Sequence, residues 1–142
     1  MSVDVVYTAE SIATGGGRTG HVRSSDGKLD FDTQPPKETG GSGDGVNPEL
    51  LFSAGYAACF LGALRKAART GDIGIDEKTT VTAQIGFGRH SEGGFGLTAM
   101  LRGHLPGLDQ RTADELMNQA HQVCPYSKAT LGNIAVSLVA TV

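Results

Sequence analysis

The chain has 142 residues, enough for one domain with a buried core, and we expect a single domain over residues 1–142. Its net charge of −3 argues against nucleic-acid binding, which needs a basic face. The N-terminal stretch MSVDVVYTAESI has neither a basic start nor an apolar run, so the sequence predicts no signal peptide and a cytoplasmic protein.

The N-terminal third reads as an antiparallel meander. Alternating Val, Tyr, Thr and Ile residues predict a strand over 3–13, and two further strands are predicted over 18–24 and 28–33. The glycines at 15–17 and the Asp26-Gly27 pair supply the turns. The Pro- and Gly-rich segment 34–46 fits neither the phosphate-loop nor the dinucleotide pattern, so we interpret it as a flexible approach to the next element.

A long helix is predicted over residues 47–71. Asn47 can cap its first turn, Pro48 suits the first helical position, and Gly71 can end the helix in a left-handed turn. The helix is apolar nearly all round and rich in small residues, which predicts a buried core helix holding Cys59. Its apolar run, 57–64, is too short to cross a membrane.

The second half predicts a hairpin, a helix and a last strand. The hairpin strands are expected over 78–90 and 95–105, and the last strand over 134–142. A capping-box signature at 112–115 opens a helix that Pro125 ends, so Cys124 should lie in its last turn or just beyond. Its core-facing residues are expected to be Leu116, Met117, Ala120 and Val123.

This order of elements predicts an α+β fold rather than alternating βαβ units. One buried helix with sheet segments before and after it leaves much apolar surface for a small domain to cover. We therefore expect an intertwined homodimer, with antiparallel sheets around long central helices that pack through their small residues.

The two cysteines, Cys59 and Cys124, form no CxxC pair and have no metal-ligand spacing around them. Two interpretations stay open: a transient catalytic disulfide, or two unrelated buried thiols. A functional Cys59 needs a nearby cation, because burial alone raises a thiol pKa. Arg18, after three glycines, is the most suggestive candidate, whereas Arg89 and Arg102 lie in predicted strands. The four histidines form no metal-binding pattern, so no metal is expected.

Two segments carry a resemblance to a known family. NPELLFSAGYAACF, residues 47–60, and VCPYSKATLGN, residues 123–133, resemble the two signature motifs of the organic hydroperoxide resistance proteins. These belong to the wider OsmC family, which includes the osmotically induced protein. The segments GGGRTGHVRSSDG, KLDF and GGSGDGVNPE also match the family pattern, so the resemblance covers the whole chain.

The resemblance implies a thiol-dependent peroxidase that reduces organic hydroperoxides. Cys59 would be the peroxidatic cysteine and Cys124 the resolving one, with Arg18 stabilising the thiolate and Glu49 orienting Arg18. The family fold is an intertwined homodimer with two sites at the subunit interface. Its reductant is dihydrolipoamide on lipoylated proteins, and no bound cofactor is implied.

The chemistry of the expected pocket favours bulky substrates. An apolar lining by Phe52, Phe60, Leu61 and Tyr126 would favour fatty-acid, alkyl or aryl hydroperoxides over hydrogen peroxide. The alternative function is a non-catalytic thiol redox sensor that uses the same disulfide without turnover.

One geometric constraint applies to the implied site. Ten residues of helix separate Glu49 from Cys59 by about 15 Å, so the two cannot touch on one straight helix. Three arrangements would resolve this: a helix break near Gly55, a bridge through Arg18, or a Glu49 supplied by the second subunit. We favour a bridge that involves both chains.

Overall fold

The structure is a computed structural model that describes residues 2–142, in two compact units that meet in sequence between Leu51 and Phe52. Each unit contains one three-stranded sheet. The elements in chain order are β1 (Ser11–Gly15), β2 (Gly20–Ser24), β3 (Asp30–Thr33), a 3-10 turn (Lys37–Thr39), α1 (Pro48–Thr70), β4 (Thr80–Arg89), β5 (Phe95–His104), α2 (Gln110–Val123), α3 (Pro125–Thr130) and β6 (Val136–Thr141). This confirms the α+β class, whereas the single domain and the homodimer stay predictions.

The first unit is built on the antiparallel meander β1-β2-β3. The strand predicted over 3–13 is wrong for most of its length, because residues 2–10 have no regular structure and are exposed. In β1, Ser11 pairs with Ser24, the last residue of β2, so the chain before Ser11 has no partner strand in this sheet. The second strand begins at Gly20 rather than at residue 18, which leaves Arg18 in the turn.

The segment between β3 and α1 folds back on itself, and is more ordered than the expected flexible approach. The amide of Gly41 donates to the Pro36 carbonyl at 3.1 Å, and that of Gly43 donates to the Pro35 carbonyl at 3.1 Å. A Cβ atom at Gly41 would collide with the Pro35 carbonyl, so glycine is required there. Val46 then pairs with β3 through its amide and the Asp32 carbonyl, at 3.0 Å, which fixes the start of α1.

Local capping defines the two ends of α1. The Asn47 side-chain oxygen accepts from the Leu50 amide at 2.8 Å, as the sequence predicts. At the other end the prediction for Gly71 is wrong, because Asp72 is the left-handed residue, with φ of 52°. The Ile73 amide donates to the Ala68 carbonyl at 2.8 Å and satisfies one of the last helical carbonyls.

Only one face of α1 is buried within the chain. Its buried residues follow a helical repeat: Tyr56, Phe60, Ala63, Leu64, Ala67 and Ala68. The opposite stripe, Ala54, Ala58 and Gly62, is exposed. The expectation of a helix buried all round is therefore wrong for one chain alone.

No helix among residues 2–142 is long and apolar enough to cross a membrane.

The second unit is organised on the sheet β4-β5-β6. The hairpin strands β4 and β5 pair antiparallel along their full length, from Thr80 opposite His104 to Arg89 opposite Phe95. The last strand, β6, pairs parallel with β5, which requires a crossover connection, and α2 and α3 supply it. Buried side chains of α1, β5 and α2 form one hydrophobic core.

The start of α2 differs from the capping box expected at 112–115. Asp109 is the N-cap, and its carboxylate accepts from the Thr112 amide at 3.0 Å and from the Thr112 hydroxyl at 2.7 Å. Leu116, Met117 and Ala120 are buried as predicted. The prediction for Val123 is wrong, because this last residue of α2 is 44% exposed.

Candidate active site

The two cysteines lie side by side. Cys59 is half-buried on α1, Cys124 is fully buried between α2 and α3, and both are free thiols. Their sulfur atoms are 3.5 Å apart, although 65 positions separate them in sequence. A disulfide has an S–S length of about 2.05 Å, so a closure of about 1.5 Å would join them. The two thiols are therefore neighbours in the structure, whereas their role as a catalytic pair stays a prediction.

Cys124 is held by its position between two helices. Its amide donates to the Ala120 carbonyl at 2.9 Å and caps the end of α2. Its carbonyl accepts from the Lys128 amide at 3.0 Å in the first turn of α3. Pro125, which has no N–H, ends α2 and occupies the first position of α3. The prediction that Cys124 lies at the end of the helix is confirmed.

The surroundings of Cys59 disfavour its thiolate. Burial is the largest effect and raises the pKa of Cys59, and the neighbouring Cys124 raises it further. The backbone N–H of Tyr126 donates to the Cys59 sulfur and acts in the opposite direction. None of these influences is a cation, so a reactive thiolate at Cys59 needs additional positive charge.

Arg18 and Glu49 form a two-point ion pair within the first unit. The Arg18 Nη2 lies 2.6 Å from Glu49 Oε1, and Nη1 lies 3.3 Å from Oε2. Glu49 is 14% exposed, whereas Arg18 is 44% exposed. The hydrogen bonds from Arg18 lower the pKa of Glu49, which keeps the carboxylate ionised. Glu49 thus holds the guanidinium in one orientation.

The turn that carries Arg18 is fastened by Thr33, which sequence reasoning missed. The buried Thr33 hydroxyl donates to the Gly17 carbonyl at 2.6 Å and accepts from the Gly20 amide at 2.9 Å. Gly20 has no room for a side chain, since a Cβ atom would collide with the Thr14 carbonyl oxygen. The position of Arg18 therefore depends on contacts at both ends of its turn.

The structure excludes one of the three arrangements considered for Glu49 and Cys59. The helix α1 is continuous from Pro48 to Thr70 and passes Gly55 without a break. A helix break near Gly55 is therefore wrong. The bridge through Arg18 and the glutamate from a second subunit stay predictions.

The expected pocket residues differ in accessibility. Phe52 and Tyr126 stack with ring centroids 6.1 Å apart, and both are partly exposed. Leu61 is half-buried, whereas Phe60 is fully buried in the core and presents no surface in this chain. Gly55 makes room for the Tyr126 ring, because a Cβ atom there would lie 3.0 Å from the Tyr126 hydroxyl. Their role as a substrate lining stays a prediction.

A buried polar cluster beside the thiols was also missed. The Tyr56 hydroxyl lies 3.0 Å from Ser127 Oγ and 3.3 Å from Thr130 Oγ1, and His121 Nδ1 lies 2.8 Å from Ser127 Oγ. The available signal was the position of Tyr56, one helical turn before Cys59, and of Ser127, just after Cys124. No group of three His, Cys, Asp or Glu side chains among residues 2–142 could hold a metal ion.

Comparisons with known proteins identify the family. The family model for OsmC-like proteins matches residues 41–139. The organic hydroperoxide resistance protein of Xanthomonas axonopodis pv. citri is 47% identical over 135 residues, which cover 94% of this chain and 94% of the relative. The chain belongs to the OsmC-like family, in its organic hydroperoxide resistance branch.

Solved structures of the same branch have the same fold. An organic hydroperoxide resistance protein from Elizabethkingia anophelis matches with a TM-score of 0.90 and 46% identity, covering 98% of this chain and 99% of that one. OhrB of Bacillus subtilis, another family member, matches with a TM-score of 0.87 and 44% identity, covering 96% and 100%. The resemblance read from the two cysteine segments is confirmed at the level of the family.

Proposed function

We propose that the protein reduces organic hydroperoxides to alcohols, with Cys59 as the attacking thiolate and Cys124 as the resolving thiol. The observation that carries the proposal is the 3.5 Å separation of the two sulfur atoms in a member of the organic hydroperoxide resistance family. A sulfenic acid formed on Cys59 would have its resolving partner already adjacent.

The reaction runs in three balanced steps. The Cys59 thiolate attacks the terminal peroxide oxygen, the O–O bond breaks, and the other oxygen takes a proton and leaves as the alcohol. The Cys124 sulfur then attacks the resulting sulfenic acid, so that an S–S bond forms and water leaves. A dithiol finally reduces the disulfide by two exchange steps and is itself oxidised to a disulfide. By family resemblance, that dithiol is dihydrolipoamide on a lipoylated protein.

Arg18 is the proposed source of positive charge for the thiolate. The burial that raises the pKa of Cys59 has to be offset by a cation. The guanidinium is held by Glu49 through two contacts, and its rigid planar fork suits a fixed anion site. The same charge would stabilise the leaving oxygen as the O–O bond breaks. In the arrangement that we propose, both subunits contribute to the bridge between Glu49 and Cys59.

The apolar side chains around the thiols support a preference for organic substrates. Phe52 and Tyr126 stack in the second unit with exposed ring surface, and Tyr126 directly follows the Cys124-Pro125 pair. Together with the half-buried Leu61 they would exclude water and bind a hydrocarbon group, whereas the buried Phe60 presents no surface for contact in this chain. Hydrogen peroxide gains nothing from such contacts, so it should be a poor substrate.

The unpartnered apolar surface supports the homodimer. The stripe Ala54, Ala58 and Gly62 on α1 is exposed in one chain, and small residues allow two helices to approach closely. Exposed apolar side chains also line the N-terminal segment, at Val3, Val5, Val6 and Tyr7. A second copy of the chain would cover both surfaces.

The test is steady-state consumption of cumene hydroperoxide with dihydrolipoamide, beside hydrogen peroxide as substrate and thioredoxin as reductant. We expect fast turnover with the organic peroxide and the lipoyl dithiol, and none in Cys59→Ser. Full activity of Cys59→Ser would exclude the mechanism. A single turnover that ends in a Cys59–Cys124 disulfide, with no reductant able to continue, would favour the redox sensor instead.

A further inference from the structure

A chain of hydroxyl groups connects the three helices that carry the thiol pair. Tyr56 lies on α1, three residues before Cys59, and Ser127 and Thr130 lie on α3, just after Cys124. His121 is on the last turn of α2. Tyr56, Ser127 and Thr130 are buried, so their polar atoms depend on one another for hydrogen bonds.

Proton counting gives this chain one direction. The Thr130 hydroxyl donates its only proton to the Ser127 carbonyl at 3.0 Å, so its oxygen accepts from the Tyr56 hydroxyl. Because the Tyr56 hydroxyl donates its only proton to Thr130, its oxygen accepts a hydrogen bond from the Ser127 hydroxyl. Ser127 in turn accepts from His121, whose Nδ1 must carry a proton.

Each of the three hydroxyl groups therefore donates one hydrogen bond and accepts one, and His121 donates the bond at the start of the chain. Burial lowers the pKa of His121, so the neutral ring is favoured near neutral pH. A neutral imidazole has one N–H, and the chain places it on Nδ1. If Nδ1 carried no proton, it would have to accept a hydrogen bond from the Ser127 hydroxyl. That hydroxyl already donates its only proton to Tyr56, so the hydrogen bond between His121 and Ser127 would be lost.

We propose that Tyr56, Ser127, Thr130 and His121 are positioning residues that keep Cys124 next to Cys59 for disulfide formation. The inference rests on the proposed function. Ser127 and Thr130 fasten α3 to α1, and His121 fastens the end of α2 to α3, so the chain restrains both helices that flank Cys124. Disulfide formation needs the two sulfur atoms to close by about 1.5 Å from this arrangement. If α3 were not held against α1, it would have to pack there each time before the two sulfur atoms could form the disulfide.

The first test is a redox equilibrium that involves no peroxide. The reduced protein is incubated with mixtures of oxidised and reduced dithiothreitol, and two electrons and two protons pass from the cysteines to the cyclic disulfide of the reagent. The fraction of Cys59–Cys124 disulfide is measured by alkylation of the remaining thiols. A parent protein without peroxidase activity would refute the proposed function. The redox equilibrium uses no peroxide, so it tests the positioning of Cys124 separately.

Removing one link should make the disulfide less favourable. In Tyr56→Phe and His121→Leu we expect the equilibrium constant for disulfide formation to fall by about threefold to tenfold. This range corresponds to the net free-energy contribution of one hydrogen bond. A tenfold fall corresponds to about 30 mV for a two-electron couple. His121→Asn, whose amide can donate from the position of Nδ1, should stay close to the parent protein.

The matched control is a second histidine–hydroxyl pair. His104 Nδ1 lies 3.0 Å from Thr141 Oγ1 in the pairing of β5 with β6, outside the helices that carry the cysteines, so His104→Leu should leave the equilibrium unchanged. An unchanged equilibrium in both Tyr56→Phe and His121→Leu would overturn the proposal, as would equal shifts in His121→Leu and His104→Leu.

A measurement on the parent protein does not depend on whether the variants fold. Nitrogen-15 chemical shifts of the His121 ring distinguish the two neutral tautomers. The directed chain requires the proton on Nδ1. A proton on Nε2 would refute it.

Discussion

The same substitution at two buried threonines should change stability in opposite directions. Thr33 is 2% exposed and Thr79 is 3% exposed. The Thr33 hydroxyl makes two hydrogen bonds, to the Gly17 carbonyl and from the Gly20 amide. The Thr79 hydroxyl has no hydrogen-bond partner among the described residues. Valine matches threonine in shape and in β-branching, so each replacement isolates the hydroxyl group.

The expected magnitudes follow from the number of bonds lost. Thr33→Val leaves two backbone groups without their partner and should lower the free energy of unfolding by about 1–3 kcal/mol. Thr79→Val removes a buried hydroxyl that has no compensating bond, and should raise the free energy of unfolding by up to roughly 1 kcal/mol. Since Thr33 fastens the turn that carries Arg18, Thr33→Val should also slow the oxidation of Cys59.

The assay is urea unfolding followed by circular dichroism at one fixed protein concentration. The slope against urea should be the same in all variants, so that midpoints compare directly. Thr33→Ser keeps the hydroxyl and should stay closer to the parent than Thr33→Val. Shifts of equal sign and size at the two positions would refute the assignment of these hydroxyl groups.

Three further outcomes are expected. Cys124→Ser should react once with an organic hydroperoxide and then stop, with a sulfenic acid on Cys59 that mass spectrometry detects; sustained turnover would contradict the resolving role. The pKa of Glu49 is lowered by Arg18, so the pair stabilises the fold above the ordinary pKa of 4.5, and this contribution disappears as the pH falls through the lower folded value; Glu49→Gln should weaken that acid dependence in urea unfolding. The pKa of His21 is raised by Asp32 and Asp30, so its contribution is complete below the ordinary value of 6.5 and is lost as the pH rises through the raised value. An NMR titration of the His21 ring that gives an ordinary or lower pKa would contradict that geometry.

Local signals predicted the helices well, because a cap or a proline acts on its own neighbours. Asn47 caps α1 and Pro125 ends α2, as the sequence indicates. Errors arose where two neighbouring residues could serve the same purpose. Asp72 took the left-handed position expected for Gly71, and Asp109 took the cap expected near Thr112, because aspartate suits both positions.

Features that depend on tertiary contacts could not be read from spacing. The alternation over residues 3–13 is typical of a strand, but a strand also needs a partner, and β2 ends opposite Ser11. The pairing of Cys59 with Cys124 was predicted from the family resemblance, since a separation of 65 positions carries no geometric information. The network around Tyr56 needs three helices to meet, and no local pattern indicates that.

The parallel pairing of β6 with β5 has a consequence for the order of folding. Parallel neighbours cannot be joined by a tight turn, so their contact waits for the connection that contains α2 and α3. Contacts between residues distant in sequence form slowly, because the loop entropy is lost before the contact is made. Cys124 lies inside that connection, whereas Cys59 lies on a helix that can form from local interactions. We therefore expect a newly made chain to present Cys59 before its partner is in place, so that an oxidant that arrives early would meet a thiol with no neighbouring sulfur to protect it from irreversible oxidation.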